Sequence, residues 1–157
     1  MKKSRNIFYS LIVLMLTLWT GCSDLEQEPI GLLTPNTAFS SVSDVEKGVF
    51  GSYYCFANEN FWGRKYSLSI LLLGDMVDIG ERNTAPRRME INDFEMQPDN
   101  GMVAVFWPMA YLAISAANTA IFGGENLDAE PEEINPVIAE AKFNKAFTYY
   151  HLVRCFG

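Results

Sequence analysis

The stretch that most constrains this fold is the last one, Glu140-Ala-Lys-Phe-Asn-Lys-Ala-Phe-Thr-Tyr-Tyr-His-Leu-Val-Arg-Cys-Phe-Gly157. Ala139, Phe143 and Ala146 recur at i, i+4 and i+7, and Phe147, Tyr150, Leu152 and Val153 widen that stripe into a broad apolar face. The polar positions Glu140, Lys142, Asn144, Lys145 and Arg154 mostly lie away from it. Small Ala beside large Phe is what a helix needs when a second helix is to interdigitate with it. This face is expected to be the buried one, and Gly157 suits a left-handed C-cap. A helix with so much apolar surface requires partners.

The partners are sought upstream. Trp107, Tyr111, Ile114 and Asn118 form a second stripe at i, i+4, i+7 and i+11, which marks a helix in the segment 102–122. Pro108 is tolerable only in a first turn, so regular helix is expected from about Phe106, and Gly123-Gly124 is expected to end it. Trp107 and Tyr111 read as core rather than as a stacking platform. Acidic residues between Asp128 and Glu133 precede the last helix, where its dipole favours negative charge, and Asn135-Pro136 reads as its N-cap and N1. The two helices are expected to pack as an antiparallel hairpin.

An earlier helix starts at Ser43-Asp44-Val45-Glu46, which fits a capping box, and runs through Val45, Val49, Ser52 or Tyr53, and Phe56 to about Ala57. Gly48, Gly51, Ser52 and Cys55 give it small residues for close approach. Residues 58–65 form a polar and aromatic loop, and 66–77 is apolar enough for a buried helix, with a strand at Leu71-Leu72-Leu73 as the alternative. Residues 80–100 show no clear period and are expected to be a long loop. No alternating stretches follow, so the fold class is all-α.

The first residues speak to location. Lys2, Lys3 and Arg5 precede an apolar run from Ile7 to Trp19, too short for a membrane span of about 20 residues but suited to a signal peptide. Thr20-Gly21-Cys22 follows, the small-residue and cysteine pattern of a bacterial lipoprotein signal, with Trp19 where Leu is usual. Residues 1–21 therefore read as a cleaved leader and Cys22 as the lipidated residue, an unanchored secreted chain being the alternative. Cleavage would remove three positive charges and take the net charge from −7 to −10. The lipid, not surface charge, would then hold the protein on a membrane. Residues 22–40, with two prolines and no helical period before Thr34-Pro35-Asn36-Thr37-Ala38-Phe39, read as tether and entry segment, and 41–157 as the helical region.

The acidic balance excludes a nucleic-acid surface. Three cysteines do not make a disulfide scaffold. Cys55 and Cys155 are expected as buried thiols, although a disulfide is open to them outside the cytoplasm. His151 is the single histidine, so His-based catalytic or metal sites are not indicated. Asp75 and Asp78 alone are weak cation ligands. No cofactor, metal or catalytic constellation is specified, and a glycosidase would need two carboxylates facing one cleft.

The pattern Trp107-x3-Tyr111-x2-Ile114-x2-Ala117-Asn118, then Glu140-Ala141-Lys142-Phe143-x2-Ala146-x2-Tyr149-x2-Leu152-Val153-Arg154-x-Phe156-Gly157, resembles the N-terminal region of the SusD/RagB family. Cys22, Pro29 and Thr34 to Phe39 fit the same resemblance, and Ser23-Asp24-Leu25-Glu26 is similar to the export signals of surface lipoproteins in the Bacteroidota. The resemblance implies a tetratricopeptide-like helical array, of which this chain would be an N-terminal fragment. It implies a non-enzymatic lipoprotein on the outer-membrane surface that captures glycans or peptides beside a TonB-dependent, SusC-like transporter. A helical scaffold that binds only protein is the alternative. Sugar binding needs aromatic faces and hydroxyl partners, which Trp62, Arg64 and Tyr66 in the 58–66 loop offer; Trp62 and Tyr66 packing onto the first helix is the competing expectation. Arg82, Arg87 and Arg88 read as a solvated loop.

Overall fold

The structure, a computed structural model, describes residues 38–157. The leader, Cys22 and the tether through Thr37 lie outside the described residues. Five helices lie wholly within the described residues, in order: α1 (Val42–Ala57), α2 (Lys65–Leu72), α3 (Pro86–Asn92), α4 (Phe106–Glu125) and α5 (Pro131–Phe156). Among the described residues there is no strand, so the all-α expectation holds. The long helices α1, α4 and α5 pack against one another, and the short pair α2 and α3 is set between α1 and α4 in the chain.

α1 begins earlier than its sequence signal suggested. Its N-cap is Ser41, extended at φ −150° and ψ 161°, whose Oγ accepts the Asp44 N–H at 3.3 Å. The Asp44 carboxylate in turn accepts from Ser41 Oγ at 2.7 Å, Ser40 Oγ at 2.9 Å and Lys47 Nζ at 2.8 Å. This displaces the expected Ser43 and Glu46 box by two residues. The earlier start places Val42 against the core alongside Val45 and Val49, and apolar burial decides between two comparable caps.

The inner face of α4 is Phe106, Ala110, Ala113, Ala117, Ala120 and Gly124. This stripe has the expected spacing but is turned by one residue from the expected one. Ile114 is buried as anticipated, whereas Trp107 and Tyr111 are 46% and 42% exposed and Asn118 faces solvent. Two helices share this face, and alanines let both come close where indole and phenol rings would hold them off. The expected stop at Gly123-Gly124 does not occur, because these glycines are packing positions. A Cβ on Gly124 would lie 2.7 Å from Ile138 Cγ1 and 3.4 Å from Val45 Cγ1.

α5 also starts early, at Pro131 after the N-cap Glu130, so Pro136 lies within the helix. Proline at this sixth position removes one backbone bond near an exposed end, while Ile134, Val137 and Ile138 are buried by the extra turn. The inward face is Ile134, Val137, Ile138, Ala141, Asn144, Thr148, His151 and Leu152. The expected face points outward: Phe143, Tyr150 and Val153 are 65%, 58% and 63% exposed. Of that set only Leu152 is fully buried, and Phe147 is half-buried. The polar side turned inward is bonded through Asn144 Nδ2 and Thr148 Oγ1, while Asn144 Oδ1 is buried without a partner among the described residues. Asn144 Nδ2 donates to Ser52 Oγ at 2.9 Å, and Thr148 Oγ1 donates to the Asn144 carbonyl at 2.8 Å.

The α4 and α5 hairpin is antiparallel as expected. At one end Ala120 packs with Ile134 to Ala141 and with Val45 and Val49 of α1. At the other, Phe106 and Ala110 share a cluster with Leu152, Phe61 and Tyr66. A smaller cluster of Leu72, Ile91 and Met102 lies under α2 and α3. α2 stops at Leu72 rather than near residue 77. α3 falls where a structureless loop was expected, its signal being Pro86 at the first helical position. Its anchor is Ile91, fully buried, and Asn100, whose Nδ2 donates to the Arg87 carbonyl at 2.9 Å and to Glu90 Oε2 at 2.7 Å.

Two outcomes are expected in urea unfolding followed by circular dichroism. Gly124→Val should cost about 1–3 kcal/mol by overpacking, whereas Gly51→Ala, whose Cβ would meet Ala116 Cβ at 3.6 Å, should gain about 0.5–1 kcal/mol from helix propensity. The cap predicts a pH effect. Its hydrogen bonds, first from Lys47 and then from Ser41 and Ser40, hold the Asp44 carboxyl well below its ordinary value of 3.8. A depressed carboxyl contributes stability above the unfolded value and loses it as pH falls further. The urea midpoint should therefore decline below about pH 4 less steeply in Asp44→Asn than in the parent.

Candidate functional site

The loop of residues 58–64 joins α1 to α2 and is fixed from both ends. The Phe61 and Gly63 N–H groups donate to the Asn58 carbonyl at 3.0 and 3.1 Å, and Asn58 Oδ1 accepts the Asn60 N–H at 2.9 Å. Only glycine fits at 63, since a Cβ would lie 2.6 Å from the Asn58 carbonyl oxygen. This turn drives Phe61 completely into the core. The outer rim is polar: Arg64 pairs with Glu59, and Lys65 Nζ donates to Asn60 Oδ1 at 2.7 Å.

The three residues singled out in this loop meet different fates. Arg64 is exposed on the rim beside Glu59. Trp62 is half-buried. Its ring stacks on Phe61 at 6.2 Å and meets the edges of Tyr66 and His151 at 4.9 and 4.8 Å, with Phe147 at 6.2 Å. Tyr66 is 3% exposed and lies face to face with Phe106 at a centroid distance of 4.1 Å. Trp62 and Tyr66 are thus adjacent, but Tyr66 supports the site from beneath while Trp62 and Arg64 reach its surface. Their packing partners belong to α4 and α5 more than to α1.

His151 is the hub that sequence reading did not single out. It is 4% exposed, and its Nδ1 lies 2.9 Å from the Tyr66 hydroxyl. Cys155 Sγ donates to that same hydroxyl at 3.5 Å, and the direction of the Tyr66–His151 bond follows the tautomer of the imidazole. Burial, with a smaller contribution from the Arg154 charge, lowers the His151 pKa below 6.5, and burial pushes the Tyr66 phenol up. Both groups are neutral near pH 7. His151 Nε2 and Trp62 Nε1 are buried without a hydrogen-bond partner among the described residues.

The cysteines divide. Cys55 is buried, and burial raises its thiol pKa; Cys155 is exposed, contrary to expectation, because it sits on the last turn of α5 beyond the core. They form no disulfide with each other. Asp78 serves the loop before α3, where Oδ1 accepts from Asn92 Nδ2 at 2.9 Å and from the Ile79 N–H at 2.8 Å. In the same region Arg82 holds both carboxylate oxygens of Asp93, at 2.7 and 3.0 Å.

Comparison with known proteins agrees with this architecture. Residues 35–157 match the SusD-like family described as starch-binding and associating with the outer membrane. SusD-like protein P2 of Formosa agariphila is 49% identical over 157 residues, which is all of this chain and 30% of that protein. SusD-like protein P25 of the same organism is 30% identical over 143 residues, 85% of this chain and 27% of that protein. The chain thus spans less than a third of the length of the curated relatives it matches. No solved structure matches it.

Removing the buried hydroxyl in Tyr66→Phe should cost about 1–3 kcal/mol, while Tyr54→Phe, at a position 68% exposed, should change the unfolding midpoint little. In NMR titration His151 should remain neutral at pH 7. Because its folded pKa is depressed, its contribution to stability should decline as pH falls below the unfolded value near 6.5.

Proposed function

The chain belongs to the SusD-like family of starch-binding, outer-membrane-associated proteins, and on that premise we propose that it serves as the glycan-capturing component of an outer-membrane nutrient-uptake system. The family match across residues 35–157 is the observation that carries this reading. The part played by this chain is binding and positioning. In this reading the exposed part of the half-buried Trp62 ring meets a sugar, and Arg64, Glu59 and Asn60 offer donors and acceptors to its hydroxyls, while Tyr66 keeps Trp62 in place. Cys22, acylated after removal of residues 1–21, anchors the protein to the outer membrane facing the cell surface. A SusC-like TonB-dependent transporter is the partner that receives the ligand. No helix among the described residues is long and apolar enough to cross a membrane.

The outward apolar face of α5 supports a second reading, a scaffold that binds protein alone. Phe143, Tyr150 and Val153 form a stripe of the kind that marks protein contacts.

Labelling cells with radioactive palmitate should mark the parent and not Cys22→Ala, and the variant should be lost from the membrane fraction. In native gels containing starch or other polysaccharides the chain should be retarded, and Trp62→Ala should reduce the retardation. Normal migration in every polysaccharide, with co-purification of a barrel transporter, would support the scaffold instead.

A further inference from the structure

A cleft of about 150 Å³ opens between α2, the connection from α3 to α4, and the last turns of α5. Ile70 and Leu73 wall it on one side and Met96 and Met102 on the other, with Arg154 and Cys155 on the α5 side. Met102 is 6% exposed and forms the floor, while Met96 and Leu73, 40% and 44% exposed, form the rim. This space suits one aliphatic side chain or a single small ring and is well below the roughly 300 Å³ at which whole-ligand pockets begin. Methionines on both levels let such a wall adapt to its occupant.

The charge at the cleft is one-sided. Arg154 is the only ionised side chain among its lining residues, and it enters no salt bridge among the described residues. Its guanidinium carbon lies 5.3 Å from the centroid of the Tyr150 ring, which leaves its N–H donors free for an anion. An apolar hole for one side chain with an unpaired guanidinium beside it fits an aliphatic group that carries a carboxylate at short range.

We propose that this cleft binds the C-terminal residue of a peptide, with its aliphatic side chain between Met96 and Met102 and its α-carboxylate on Arg154. Because Arg154 lines the same small cleft as the methionines, a carboxylate on the same residue as the aliphatic side chain fits both. The site is separate from the Trp62 loop and does not rest on glycan binding there.

The test uses N-acetyl-leucine, with N-acetyl-leucinamide as the probe that lacks the charge. Cys155 is an internal reporter, since it lines the cleft and is exposed while Cys55 is buried. N-acetyl-leucine should slow alkylation of Cys155 by N-ethylmaleimide, read by peptide mass mapping, and should shift the methyl resonances of Met96 and Met102 in NMR of the full chain. The amide should need about fivefold higher concentration, as for loss of an exposed ion pair, and Arg154→Gln should remove that difference. Met96 and Met102 methyls that do not move, or equal response to acid and amide in the parent, would overturn the proposal.

Discussion

The close approach of three long helices along the small-residue face of α4 is the constraint on which the rest of the structure depends. Ala110, Ala113, Ala117, Ala120 and Gly124 keep that face nearly flat, so α1 and α5 can both lie on it. Gly48 of α1 lies opposite Ala120, where a Cβ would already meet Ala120 Cβ at 3.3 Å. At such separations a large ring enters the seam only against glycine, as Phe39 does beside Gly48 and Gly123. The rings of α4 itself are displaced to its end and outer surface, which accounts for the burial of Phe106 and the exposure of Trp107 and Tyr111.

At the Phe106 end the rings become the packing material. Phe61, Trp62, Tyr66, Phe106, Phe147 and His151 interlock through edge and stacked contacts at centroid distances between 4.1 and 6.2 Å. One imidazole makes this cluster directional, because its Nδ1 fixes the Tyr66 hydroxyl and Tyr66 in turn fixes Trp62. The loop that carries the candidate sugar contacts is therefore held by α4 and α5, although it is sequentially attached to α1 and α2. A binding surface on rigid elements requires such support.

The legibility of these features differs by residue. The all-α class, the start of α4 at Phe106, the antiparallel hairpin and the family resemblance could all be read from residue spacing and short motifs. α3 could not, because seven residues with one buried anchor, Ile91, leave no period to detect. The rim role of Arg64 was visible in a polar loop, but the inward turn of Tyr66 was not, since it depends on Phe106 and His151 arriving from 40 and 85 residues away. His151 gave no signal beyond being the single histidine.

By itself the sequence determined that three long helices exist and with what period, since periodicity acts within a few turns of chain. Only the tertiary structure decided which stripe of each helix faces inward. On α4 that stripe is rotated by one residue from the most aromatic one, and on α5 the inner side carries Asn144, Thr148 and His151 while Phe143 and Tyr150 face out. The physical reason is that burial is settled by the distance between helices and by hydrogen-bond partners across it. Ser52 for Asn144, and Tyr66 for His151, lie on other elements, and hydrophobicity along one helix carries no information about either.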